Sequence, residues 1–459
     1  MMQAADTPEF APVPSSVMSG IVWPAMPDMK DAATFALLAQ LEMSQWWSPE
    51  ALLAHQLRQA TELVRVAARD VPFYRDRLAA FAERPLTITD WRQIPLLRRA
   101  EIQDAGEALA TRRPLKGHGE GYEVLTSGST GEPVTVHWNA VASQFHAALL
   151  LREHVWQRRD FSAKVAVVRR MSEKRREDIQ AGKAARWVSG YPCGRMVFFD
   201  LGESVDDALD WLLHEDPDYM MTYPTYLRAM IQRSEARGVK PARLRQVASF
   251  GEAVPEELRK LCPDAWGARL VDMYSAQETG IMALECPDHD HYLVQSENVL
   301  LEVLDDDGQP CAPGEVGRVV VTTLHNFATP LIRYSIGDYA EVGEPCASGR
   351  GLPVIRRFHG RRRNMLTLPS GGKIWVALIG RGLEEIEPLR QFQVVQRADL
   401  SVRLKMVVDR PLTPEEEAKA RQSMVRAAGH RLNLHLDYVD SIPRSAGGKL
   451  EDVISEVVD

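Results

Sequence analysis

Between residues 164 and 274, five short runs rich in β-branched and aromatic residues (164–168, 196–201, 219–223, 247–251 and 270–274) alternate with helical stretches such as 204–214 and 255–261. Strands that alternate with helices favour a parallel sheet covered by helices, because each parallel crossover needs a connection long enough to hold a helix. After Gln295 the rhythm changes. Strands 298–304 and 317–324 follow each other directly across the turn Asp305-Asp306-Asp307-Gly308, which predicts a β-rich subdomain.

Upstream, Leu52, Leu53, Leu57, Leu63, Val64 and Val66 recur on one helical face, so residues 49–69 are expected to form an amphipathic helix, with a second helix over 143–158. Five prolines within residues 1–28 predict an arm without regular structure. One core rarely grows past roughly 250–300 residues, so 459 residues imply at least two domains. The boundary is placed at Gly360, before Arg361-Arg362-Arg363-Asn364. Residues 29–360 then form a large domain, and residues 361–459 a small α+β domain reading strand, hairpin, helix (414–432), strand. Thr413 and Glu416 have the spacing of a capping box for that helix.

Hydrophobic residues make up 45% and charged residues 26% of the chain, which excludes collagenous and disordered classes. A net charge of -8 offers no footprint for nucleic acid, so no nucleic-acid partner is expected. Five scattered Cys, without a CxxC pair, suit a cytoplasmic protein with reduced thiols. No apolar run is long enough to span a membrane, and the N-terminus lacks a basic, apolar leader, so a soluble protein without a membrane partner is expected. The oligomeric state stays open, a homodimer included.

The segment Leu125-Thr126-Ser127-Gly128-Ser129-Thr130-Gly131-Glu132-Pro133 concentrates hydroxyls and glycines. Such a loop can turn N–H groups and hydroxyls toward one polyphosphate, since Gly removes the Cβ atoms that would interfere. It matches neither the Walker pattern nor GxGxxG. On these residues alone, a plain Ser/Gly loop is equally open.

Further segments appear in a fixed order: Ser249-Phe250-Gly251-Glu252-Ala253, Tyr274-Ser275-Ala276-Gln277-Glu278-Thr279, Tyr334-Ser335-Ile336-Gly337-Asp338, Gly360-Arg361 with Gly371-Gly372, and Pro443-Arg444-Ser445-Ala446-Gly447-Gly448-Lys449. Together with the loop they resemble the motifs of the adenylate-forming superfamily of acyl-CoA synthetases, luciferases and adenylation domains. Val71-Pro72-Phe73-Tyr74-Arg75 and Thr329-Pro330-Leu331-Ile332-Arg333-Tyr334 resemble its phenylacetate-CoA ligase-like branch.

The resemblance implies an α/β adenylate-forming fold with a mobile C-terminal cap, acting on ATP, Mg2+ and a carboxylic acid. It implies that Ser127, Gly128, Ser129, Thr130 and Gly131 grip the phosphates. Glu278, preceded by Gln277, holds Mg2+ and serves catalysis. Tyr274 stacks on adenine against Gly251 and Glu252, Asp338 binds the ribose, and Arg361 contacts the nucleotide from the hinge. Lys449, one of 11 lysines against 44 arginines, becomes the catalytic cation of adenylation. Tyr223, Thr225, Tyr226, Ser249, Ala253 and Ser275 are the expected acyl pocket, fitting an aryl or cyclic acid. Gly371 and Gly372 form the loop presented to the second substrate, CoA.

Three departures from the family pattern keep an amine acceptor, and hence amide formation, as an alternative. They are Glu132 for Lys, Gln277 for Thr or Ser, and Asp452 for a basic residue. A non-catalytic nucleotide-binding protein is disfavoured by Lys449, Glu278 and Asp338. Cys286, His291 and Cys346 resemble part of a zinc site found in some relatives. Ser348 stands where a further Cys is expected, so a polar loop with a buried thiol is the favoured reading.

Overall fold

The computed structural model describes residues 13–125, 134–171, 173–181, 186–361, 365–367, 373–375, 383, 386–428, 432–443 and 453–457. A hairpin of β1 (Tyr122–Leu125) and β2 (Thr135–Trp138) flanks the Ser/Gly-rich segment. An eleven-stranded sheet follows. Its parallel half is made of β3 (Val165–Arg169), β4 (Met196–Asp200), β5 (Tyr219–Thr222), β6 (Gln246–Ser249) and the start of β7 (Arg269–Ala276).

The antiparallel half contains β8 (Gly280–Glu285), β9 (Tyr292–Val294), β10 (Val299–Leu304), β11 (Val316–Thr323), β12 (Tyr334–Val342) and β13 (Val354–Arg361). The order is β10-β11-β12-β13-β9-β8-β7-β6-β5-β3-β4. β7 joins the halves: Arg269 to Asp272 pair parallel with β6, whereas Met273 to Ala276 pair antiparallel with β8. The β-rich region expected after Gln295 thus begins earlier, at Gly280, and is continuous with the parallel half. Gly280 makes this junction possible with φ +73 at the end of a tight turn, a backbone region that disfavours side chains.

The helix Pro49–Asp70 starts at the Ser48 N-cap, with Pro49 in its first turn, and buries Leu52, Ala60, Leu63, Val64, Val66 and Ala67. Each large apolar side chain so buried contributes about 1.5–3 kcal/mol. Ala60, Leu63, Val64, Val66 and Ala67 pack with β10–β12 and Trp91 in one core, and Leu52 in another. A second core lies under the parallel strands with the helices Pro224–Arg237 and Glu256–Trp266.

Residues 13–28 form no helix or strand, yet the backbone N–H of Ser15 bonds Gly190 O at 2.7 Å, so this part of the arm is tied to the body. A helix not expected from the sequence, Met29–Ser44, lies beside the helix Ala140–Trp156. The fully buried Arg152 guanidinium clasps Leu41 O (2.6 Å), Gln295 (2.8 Å) and Glu297 (3.2 Å) there.

In the C-terminal part, β14 (Met365–Thr367) pairs with β15 (Lys373–Trp375). A separate sheet of β16 (Leu389–Gln396), β17 (Val402–Val408), β18 (Leu434–Tyr438) and β19 (Val453–Ser455) has the order β18-β17-β16-β19. The helix Pro414–Ala428 opens with the expected capping box: Thr413 N donates to Glu416 Oε2 at 2.8 Å, and Glu416 N to Thr413 Oγ1 at 3.3 Å. Among the described residues no helix is long and apolar enough to cross a membrane.

Candidate active site

Three strands separate β7 from β12 in the sheet order, yet residues of the two touch, so the antiparallel half curls over on itself. The Tyr274 hydroxyl donates to Asp338 Oδ2 at 2.7 Å. One face of the Tyr274 ring stacks on Phe358 of β13, with centroids 3.7 Å apart and 15° between planes. Four residues along each segment, the hydroxyl of the fully buried Tyr334 donates to Glu278 Oε1 at 3.4 Å. Asp338 also sits opposite Arg361 in the β12–β13 register. Four positions assigned from separate motifs therefore converge on one rim. Phe358 was missed, because a lone Phe in a strand carries no local signal.

Behind this rim lies a polar network. Asp272 accepts 2.7 Å hydrogen bonds from Ser249 Oγ and from the Tyr292 hydroxyl. Arg259 donates to that same hydroxyl at 2.7 Å and to Glu285 at 2.8 Å. Loss of solvent pushes the Asp272 carboxyl up to about 6. Tyr292 in turn packs edge-on against Phe358, with centroids 5.0 Å apart. A continuous chain of contacts links the end of β6 to the Tyr274 stack.

Ser249 is thus corrected from pocket lining to support: it is fully buried and its hydroxyl is spent on Asp272. Tyr226 is likewise a core residue of the parallel half. Tyr223 packs on Phe250 at 4.6 Å, and Thr225 gives both its N–H (3.0 Å) and its hydroxyl (2.8 Å) to Glu252 Oε2. Gly251 follows with φ +79, turning the chain over the ends of the strands. Ala253 and Gln277 are exposed and Ser275 is half-buried.

Glu278 borders a polar cavity of about 20 Å³ with Trp138, His146, Asn298, His325 and Asn326. Trp138 Nε1 and His146 Nδ1 are buried there and find no partner among the described residues. The space suits about one water molecule. Burial pushes His325, stacked on Phe145 at 3.7 Å, down to about 4, so it is neutral at physiological pH. A larger cavity of about 300 Å³ lies against β1 and β2, lined by Leu115, His118, Tyr122, Glu123, His137 and Phe327 among others. None of the residues assigned to the site lines it, so the site is defined by its motif residues rather than by this cavity.

Ligand atoms of Cys286, His291 and Cys346 lie within 4.8 Å of one another. The two Sγ atoms are 3.9 Å apart, and Ser348 Oγ is 3.0 Å from Cys346 Sγ. His291 Nε2 is buried and without a partner among the described residues. Two thiolates at tetrahedral angles on one zinc, each about 2.3 Å from it, stand roughly 3.8 Å apart, so the donor set fits.

Residues 187–329 match the AMP-binding enzyme family and residues 366–456 the CapK C-terminal domain. Two similar proteins are the phenylacetate-coenzyme A ligase of Thermus thermophilus and that of Pseudomonas putida. The first is 27% identical, over 52% of this chain and 60% of the relative. The second is 23% identical, over 74% and 77%. The chain thus spans less than two thirds of the first relative's length. A solved 2-hydroxyisobutyryl-CoA ligase in the postadenylation state superposes with a TM-score of 0.70 at 17% identity, covering 87% of this chain and 89% of that one.

The chain has the fold of this adenylate-forming ligase.

Within this fold, Tyr274 and Asp338 on their strands, Glu278 on the β7–β8 turn and, by backbone register, Arg361 lie along one rim. Ser127, Gly128, Ser129, Thr130, Gly131, Gly371, Gly372 and Lys449 lie outside the described residues. The adenylate-forming motifs did not point to Asp272, Tyr292 or Phe358, which hold the rim from behind. The available signal was an Asp inside an otherwise apolar strand, since a carboxylate placed there needs hydrogen-bond donors.

Proposed function

We propose that this chain is an AMP-forming acid–thiol ligase. A carboxylate oxygen attacks the α-phosphorus of ATP as the bond to pyrophosphate breaks, and the thiol sulfur of CoA then takes the acyl carbon while AMP leaves. The supporting observation is the convergence of Asp338, bonded to Tyr274, and Glu278, bonded to Tyr334, on one curled rim. An enclosed rim holds reactants in line and favours the developing charge of the transition state over water.

In this reading Asp338 accepts from the ribose hydroxyls, oriented by Tyr274, while Phe358 keeps the Tyr274 ring flat for adenine on its other face. Glu278, held by Tyr334, would bind Mg2+, which neutralises phosphate charge when present. Ser127, Ser129 and Thr130 would hold the β- and γ-phosphates. Lys449 would bridge carboxylate and α-phosphate. The relatives named phenylacetate-coenzyme A ligase support an aryl acid and CoA as the substrates. The Cys286, His291 and Cys346 set would hold a structural zinc, its fourth position open to Ser348 or water.

The test is to incubate the protein with ATP, Mg2+, a panel of aryl acids and CoA, and to identify products by mass. An acyl-CoA thioester with AMP supports the reading; AMP and pyrophosphate with an amide formed only when an amine is supplied would replace the acceptor. Absence of any acid-dependent AMP overturns the reading.

A further inference from the structure

The parallel registers place one lateral row across the strand ends. Val167 pairs with Met221 and Thr222 with Ser249, so continuing the strands aligns Arg169, Tyr223 and Phe250. The contacts agree: Tyr223 and Phe250 rings lie 4.6 Å apart, and the Arg169 guanidinium stands 5.9 Å from the Phe250 centroid. In open α/β sheets, ligands bind beyond the carboxyl ends of the strands, where this row sits.

Arg169 is exposed and has no carboxylate partner among the described residues, although acids are near. Asp200, its register neighbour on β4, is already taken: one oxygen accepts from Gly202 N at 2.9 Å, and the other pairs with Arg176. Glu252 is spent on Thr225. Arg170 turns the other way, its Nη1 lying 2.8 Å from where a Cβ on Gly202 would stand. One cation is therefore held over the aromatic wall of the expected acyl side with no carboxylate on its donors among the described residues.

Resting on the ligase reading, we infer that Arg169 is a specificity-determining residue and that the substrate is a carboxylic acid with a second carboxylate at its far end. Three strand spacings, roughly 14 Å, separate the backbones of β3 and β7, and the Arg169 guanidinium reaches back to 5.9 Å from the Phe250 centroid at the end of β6. The remaining span to the nucleotide rim accommodates a ring-length body between two anionic ends. The planar fork of Arg accepts a carboxylate through two parallel hydrogen bonds, which an ammonium cannot reproduce. Half-buried Phe250, backed by the buried Tyr223, supplies the aromatic floor between the ends.

The experiment compares 4-carboxyphenylacetate with its near-isostere 4-methylphenylacetate, as kcat/KM for pyrophosphate release, in the native protein and in Arg169→Gln. The native ratio is expected to exceed about tenfold in favour of the diacid and to fall close to one in Arg169→Gln. Arg169→Glu should reverse the charge preference, favouring 4-aminomethylphenylacetate over the diacid, a gain that misfolding cannot produce. A native ratio of one or less, or a ratio unchanged by Arg169→Gln, overturns the assignment while leaving the ligase reading intact. Failure of every acid to release pyrophosphate overturns both.

Discussion

The Tyr274 hydroxyl and Asp338 Oδ2, 64 residues apart in sequence, are joined by a 2.7 Å hydrogen bond that closes the curl between β7 and β12. This bond orients the carboxylate expected to read the ribose. Tyr274→Phe retains the ring that stacks on Phe358 but removes the donor. The KM for ATP should rise roughly tenfold in an ATP titration of pyrophosphate release, with the melting temperature nearly unchanged. An unchanged KM would show that the hydroxyl orients nothing used by ATP.

Gly280→Ala should destabilise the turn that carries Glu278. Its φ of +73 is strained for any residue with a Cβ, and that Cβ would stand 2.9 Å from the Trp138 ring. A loss of about 1–3 kcal/mol is expected in denaturant melts, together with lower activity. The double variant Gly280→Ala, Trp138→Leu should recover the part due to contact and retain the part due to backbone strain.

The helix Pro49–Asp70 is legible in the sequence because its apolar residues share one face and Ser48-Pro49 mark its start. The helix Met29–Ser44 is not legible, because apolar residues such as Phe35, Leu37, Leu38 and Leu41 do not gather into one stripe and no contrast of faces marks it. The motif residues Tyr274, Glu278 and Asp338 are recognisable, but their convergence depends on the curl of the sheet, a tertiary property. Ser249 shows the limit from the other side: a serine at a strand end reads the same whether it faces a substrate or Asp272.

The network behind the rim gives an unusual pH dependence. The Asp272 carboxyl is raised to about 6, so the folded protein holds this proton over a range where the unfolded chain has lost it. Its contribution is fully present below the ordinary carboxyl value near 4 and is lost as pH rises toward 6, with a slope of at most about 1.4 kcal/mol per unit. Asp272→Asn should remove that slope between pH 4 and 6. The amide can donate to Ser249 Oγ, whose proton then turns to Val271 O, 3.3 Å away. Urea melts of both proteins across this range check the difference; equal slopes would contradict it.

For the Cys286, His291 and Cys346 cluster, metal analysis of purified protein should find about one zinc per chain. Chelation should lower the melting temperature, and Cys346→Ser should reduce both the zinc content and the effect of the chelator. A metal-free protein with a melting temperature insensitive to added zinc would leave the cluster a buried thiol pair.

The central claim is that this rim forms an acyl-adenylate, and acid-dependent exchange of labelled pyrophosphate into ATP measures that step without any acceptor. We predict exchange that requires both a carboxylic acid and Mg2+ and that falls by at least about a hundredfold in Lys449→Ala. No exchange with any acid, or exchange of equal rate in Lys449→Ala, would contradict the account.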